Sequence, residues 1–189
     1  MADKPDWDAL YEIAASQEGY FTTRQAAEAG YSRPLLARHL GNGRISRARR
    51  GVYRVVHFPP SDHEDLTVVW LWSDRAGIFS HETALALHDL SDALPAKVHV
   101  TVPATWRRRR LKVPARVVLH YADITDGEQT WSGSVPITSP RRTLLDCAAD
   151  RVQPDLVEQA HAQALRRGLI AGELSAVQAY LSDAGGGAW

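Results

Sequence analysis

Between residues 22 and 55 the chain sets eight arginines, Arg24, Arg33, Arg38, Arg44, Arg47, Arg49, Arg50 and Arg54, against one acid, Glu28. That is a net of +7 by count in a chain whose formal charge is zero. A guanidinium keeps its charge at any working pH and presents a planar fork of donors, which suits phosphate oxygens and the O6/N7 edge of guanine. A concentrated basic stripe of this kind is the electrostatic footprint of a nucleic-acid-binding surface. The neutral total conceals the asymmetry and says little about partners.

A second basic run, Arg107, Arg108, Arg109, Arg110 and Lys112 with Arg116 beyond, follows Trp106. It reads equally as an extension of a DNA footprint, as a site for another polyanion, or as a solvated loop tip. His81-Glu82 and His88-Asp89 are the residues to weigh as a metal or acid–base group. Their spacing is not the i, i+4 pair of a zinc helix, and no cysteine cluster accompanies them. Ser80 as a helix N-cap with Glu82 in the first turn accounts for the sequence better, so no metal ligand and no cofactor are expected. Catalytic signatures are missing too: there is no Gly-rich phosphate loop, GxSxG elbow or HExxH. Ser139, directly before Pro140, reads as a cap rather than a nucleophile, and no enzymatic activity is expected.

The elements that must carry the arginines follow from spacing. Trp7, Leu10, Tyr11, Ile13 and Ala14 recur at helical intervals, predicting a helix from Trp7 to Gln17 that Gly19 ends. Thr22 with Gln25 is a capping box that opens a second helix through Ala29. Gly30 makes the turn. Ser32 caps a third helix, with Pro34 in its first turn and Leu35, Leu36 and Leu40 inward, ending near Gly41-Asn42-Gly43. Two short helices joined through a glycine turn are a helix-turn-helix signal. Residues 44–55 then read as a two-stranded wing turning at Gly51, its tip loaded with Arg47, Arg49 and Arg50.

On that scaffold the third helix is the recognition helix, whose N-terminal residues reach base edges. Ser32, Arg33, Arg38 and His39 are its candidates, and Arg24, Arg44, Arg47, Arg49 and Arg50 complete the expected DNA-binding set. The wing arginines suit phosphate or minor-groove contact. A winged helix that binds protein instead is the competing reading.

Phe58-Pro59-Pro60-Ser61 reads as a linker. Beyond it, helices are expected at 63–74, 80–90, 140–150, 154–166 and 171–181, with strands at 98–102, 116–121 and 135–138. The expected fold is therefore α+β: a winged helix-turn-helix over 1–58, a mixed α/β domain over 61–183, and a flexible Gly-rich tail over 184–189. Apolar residues make up 44% of the chain, enough for a packed core. The one cysteine, Cys147, rules out an internal disulfide and suits a reducing cytoplasm. No apolar run approaches the roughly 18 residues of a membrane span, and the acidic start MADKPDWDAL is no signal peptide. A cytoplasmic location without membrane contact is expected.

Three separated segments, GYFTTRQAAEAGYSRPLLARHLGNGRISRARRGVYRV, SHETALALHDL with VHVTVP, and VPITSPRRTLLDCAAD, together resemble the AbiEi antitoxins of bacterial type IV toxin–antitoxin systems. The resemblance spans about residues 7–170. It implies a winged helix that binds inverted repeats in its own operon's promoter and represses it, and a C-terminal domain that counteracts a nucleotidyltransferase toxin. Arg33, Arg38, Arg47, Arg49 and Arg50 fall in the family's DNA-binding segment, and Arg107–Arg110 in the C-terminal domain. Some relatives fuse this front part to an endonuclease-like domain, for which 189 residues leave no room, so no nuclease role is expected. A module that inhibits a toxin by direct binding and an orphan winged-helix regulator are the alternatives.

Overall fold

The computed structural model describes residues 4–185. It is α+β and divides into two compact units: residues up to Arg75 with Gly133–Val135, and Ala76–Ser132 with the chain from Pro136 onward. The Gly-rich tail lies outside the described residues from 186 on.

In the first unit α1 (Trp7–Ala15) starts at Asp6, whose carboxylate accepts from the amides of Asp8 and Ala9 at 3.0 Å. It leads into β1 (Tyr20–Thr22), α2 (Thr23–Glu28) and α3 (Arg33–Gly41). The capping box is present as read: Thr22 Oγ1 accepts from the Gln25 amide, and Gln25 Oε1 accepts from the Thr22 amide at 2.9 Å. Two donors otherwise orphaned at the start of a six-residue helix are satisfied this way. Thr22→Ala is expected to lower the melting stability of this unit by about 1 kcal/mol in a denaturant titration.

The wing is β2 (Ile45–Arg49) and β3 (Val52–Val55), and β1 joins it in a three-stranded antiparallel sheet of order β1-β3-β2. Gly51 makes the turn at φ +82°, in the left-handed region that glycine enters without steric cost. Leu10, Ala14, Phe21, Ala26, Leu36, Ile45 and Val55 form the buried core, with Leu35 and Leu40 partly covered against it.

The chain does not leave this unit at the proline pair. Arg54 donates to Glu64 Oε1 at 2.7 Å and to the carbonyls of Phe58 and Pro59. Tyr20 Oη donates to Glu64 Oε2 at 2.9 Å. These bonds tie α4 (Glu64–Trp72) to the small sheet, so the first unit runs on to Arg75 rather than stopping near residue 58. Burial and the Glu64 carboxylate push the Tyr20 hydroxyl up to about 12.

The second unit holds a five-stranded mixed sheet of order β6-β5-β4-β8-β7. Its strands are β4 (Ile78–Phe79), β5 (Val98–Val102), β6 (Val117–Tyr121), β7 (Gln129–Ser132) and β8 (Val135–Thr138). β5 runs antiparallel to β4 and parallel to β6, and β4 runs parallel to β8. The two-residue β4 and the edge strand β7 lack a readable alternation and were not expected. Around the sheet come α5 (His81–Leu87), α6 (Pro140–Ala149), α7 (Pro154–Arg166) and α8 (Ser175–Gly185). Leu85, Leu144, Cys147, Val157, Ala160 and Val177 close the helical core.

At the start of α6, Arg142 donates to Glu128 at 3.0 Å and to Asp146 at 2.8 Å. Glu128 also accepts from the amide and hydroxyl of Thr125, and these bonds with Arg142 hold its carboxyl down at about 2. A carboxyl depressed in the fold stabilises it fully above the unfolded value and loses that contribution as pH falls from about 4.5 toward 2. Glu128→Gln is accordingly expected to flatten the acid side of a melting-temperature profile across that window. No helix among the described residues is long and apolar enough to cross a membrane.

Candidate nucleic-acid interface

The third helix presents Ser32, Arg33, Pro34, Ala37, Arg38 and Gly41 to solvent while Leu36 is buried beneath. Ser32 caps the helix as expected, its Oγ accepting from the Leu35 amide at 3.4 Å. Arg33 and Arg38 lie five residues apart and therefore on the two flanks of the exposed stripe. Neither has an acidic partner among the described residues, and neither do Arg47, Arg49 or Arg50.

In the wing, Arg47 pairs with Tyr53, but Arg49 pairs with Val52. The extra residue, Ala48, is a β-bulge, and it turns Arg49 to the opposite face of the ribbon from Arg47. Arg47 thus shares a face with Tyr53 and the α3 side of the unit. Arg33, Arg47 and Arg50, with Thr23, Gly51 and Tyr53, line one cleft of about 370 Å³. Three guanidinium groups with no acidic partner among the described residues thus surround one concavity, fed from a helix start and a hairpin tip.

Three of the expected residues make contacts within the first unit. His39 turns inward between Trp7 and Tyr31, with ring centroids 5.9 and 5.6 Å away, and burial with the nearby charges of Arg44 and Arg38 keeps it below its ordinary pKa. Arg24 is engaged by Asp74 at 2.7 Å and Glu28 at 3.7 Å. Arg44 lies over the Trp7 ring, 5.4 Å from its centroid. Thr23 and Tyr53, which carry no charge signal, were not singled out in the sequence.

The second basic run starts as a short 3-10 turn, Ala104–Arg108, in the crossover between the parallel strands β5 and β6. Arg107, Arg108, Arg109, Arg110 and Lys112 are all exposed. Arg109 stacks over Trp106 at 4.3 Å, and Arg107 lies 5.6 Å over Tyr121. Ser139 does cap α6, its Oγ accepting from the Arg142 amide. Ser80 occupies the cap position of α5 but makes no side-chain cap bond. Its Oγ instead accepts from Thr101 Oγ1 at 2.8 Å and meets His81 Nδ1 at 2.9 Å. His88 Nε2 bonds the Thr138 carbonyl at 2.7 Å, so it braces the core rather than joining His81. The Cys147 thiol is buried, and burial pushes it well above its ordinary range.

A helix-turn-helix followed by a β-wing defines the winged-helix class of architecture. Residues 8–56 match the model of a family described as "Transcriptional regulator, AbiEi antitoxin". That N-terminal segment is of the AbiEi antitoxin family of transcriptional regulators. Among solved structures, the crystal structure of the RV2827C protein from Mycobacterium tuberculosis is similar over 96% of this chain and 83% of that chain, at 14% identity and a TM-score of 0.49. No curated protein matches the chain.

Proposed function

We propose that the protein represses its own promoter by occupancy and serves as the antitoxin that counteracts a nucleotidyltransferase toxin. The carrying observation is the cleft of Arg33, Arg47 and Arg50, free of acidic partners among the described residues. In this reading α3 enters the major groove, Arg47 and Arg50 grip the flanking backbone, and polymerase is excluded from the promoter. Arg33, at the helix start, reads a base edge. Arg33→Ala is expected to cost about 1–3 kcal/mol and to relax preference at one operator position, measured by binding to a panel of single-base operator variants. The second unit is assigned to toxin neutralisation.

The test is a reporter driven by the upstream promoter, with the full chain supplied in trans, beside a co-expression assay with the neighbouring toxin. Repression that disappears in the Arg33→Ala, Arg47→Ala, Arg50→Ala triple variant, with toxin rescue retained, supports both halves. Unchanged repression by the triple variant refutes the DNA-binding half, and no rescue by the wild-type chain refutes the antitoxin half.

A further inference from the structure

Three histidines distant in sequence meet in the second unit. His81 opens α5 directly after β4, His99 lies in β5 and His120 in β6. The parallel register pairs His99 with Val118 and Thr101 with His120, so both strand histidines stand on one face of the sheet. The rings of His81 and His120 stack with centroids 3.6 Å apart, and His99 stacks on His120 at 5.2 Å. His81 also has φ +51°, a left-handed conformation uncommon for a residue with a Cβ and one that concentrates at functional sites.

The hydrogen bonds around the cluster leave one contact unexplained. His120 Nδ1 is 2.9 Å from Asp150 Oδ2, and His99 Nε2 is 3.2 Å from Glu82 Oε2. A carboxylate only accepts, so both of those ring nitrogens carry the proton. The remaining nitrogens, His99 Nδ1 and His120 Nε2, then present lone pairs to each other at 3.0 Å. Two acceptors at that distance repel unless a cation lies between them, either a shared proton or a metal.

We propose that His81, His99 and His120 bind one divalent transition metal of the zinc class, with a fourth coordination position open to solvent. Nitrogens bound to one zinc at about 2.0–2.1 Å sit about 3.4 Å apart. One nitrogen of each ring already lies within 4.8 Å of the other two. The outer partners are those a histidine-metal site uses: Asp150 behind His120 and Glu82 behind His99 fix the tautomers and raise ligand basicity. Ser80 Oγ holds His81 Nδ1, which leaves Nε2 for the metal. Binding requires the His81 ring to tilt out of its stack on His120 and to exchange its 3.1 Å contact with Asp150 for the metal. The open position faces a cleft of about 280 Å³ lined by Arg107, Arg142, Asp146 and Asp150, in which Asp146 Oδ2 is buried without a hydrogen-bond partner among the described residues. The carboxylates of Glu82, Asp146 and Asp150 supply the negative charge that a divalent ion needs.

The test uses the full chain stripped with a chelator, titrated with Co2+ for its ligand-field absorption and with Zn2+ by calorimetry. The wild-type protein is expected to take one equivalent of either ion, to show the visible bands of low-coordinate Co2+, and to melt roughly 5–10 °C higher with free Zn2+ at about 100 times Kd. His99→Gln and His120→Gln are expected to lose the bands, His57→Gln on the surface to keep them, and Asp150→Asn to bind about 10–100-fold more weakly. Failure of the stripped wild-type chain to bind either ion stoichiometrically overturns the proposal, whatever the variants do. So does binding that survives in folded His99→Gln and His120→Gln. A far-downfield ring proton shared by His99 and His120, with no response to Zn2+, assigns the contact to a proton and also overturns it.

Discussion

Replacing Arg47 and Arg50 together by alanine is expected to weaken promoter binding roughly 100-fold at moderate salt and to take about 1.8 off the log–log salt slope. Both side chains are exposed and line one cleft with Arg33, so their charge is available to phosphate. Each contact releases condensed counterions, which makes the loss both large and independent of sequence. Arg49→Ala serves as the internal comparison. The Ala48 bulge turns Arg49 away from that cleft, and its loss is expected to cost less than half as much in log units. A double variant that binds as tightly as wild type in a mobility shift at moderate salt removes the wing from the interface.

The second large effect concerns Arg54, an arginine of the stripe that the fold itself uses. Its guanidinium bonds Glu64, the Phe58 and Pro59 carbonyls, and lies over the Tyr20 ring. The Arg54 and Glu64 side chains are 17% and 27% exposed. Deleting the arginine leaves a largely covered carboxylate without its cation and takes a donor from the Phe58 and Pro59 carbonyls. Arg54→Ala is expected to destabilise the first unit by about 2–4 kcal/mol in a denaturant titration. At temperatures where the variant stays folded, its salt slope for DNA is expected to equal that of the wild type. A stable variant with a shallower slope instead places Arg54 on the DNA.

The helix-turn-helix and wing were legible because their signals are local. Thr22 with Gln25, Ser32 before Pro34, and Gly51 between two short strands each act within four residues, and each does in the structure what its spacing requires. What could not be read is what distant chain supplies. The Phe58-Pro59-Pro60 segment carries the composition of a linker, yet Arg54 pins its carbonyls and Glu64 lies just beyond. His39 carries a polar label but closes an aromatic cluster with Trp7 and Tyr31. The bulge that separates Arg47 from Arg49 depends on pairing with β3 rather than on any local residue preference.

The histidine cluster is the clearest case. VHVTV and VVLHY each announce a strand with a histidine on one face, but only the parallel register of β5 and β6 brings His99 beside His120. Likewise, only the short β4 delivers His81 to them. His88, its neighbour on the same helix, is spent on the Thr138 carbonyl instead.

Recognition of the protein's own promoter falls, in the proposed function, to the arginine cleft of the first unit. It is tested most directly by a mobility-shift titration of the full chain with its upstream promoter DNA against a scrambled duplex at two salt concentrations. Tight, promoter-selective binding that weakens steeply as salt rises is the predicted result. No binding, or equal affinity for both duplexes, would contradict it.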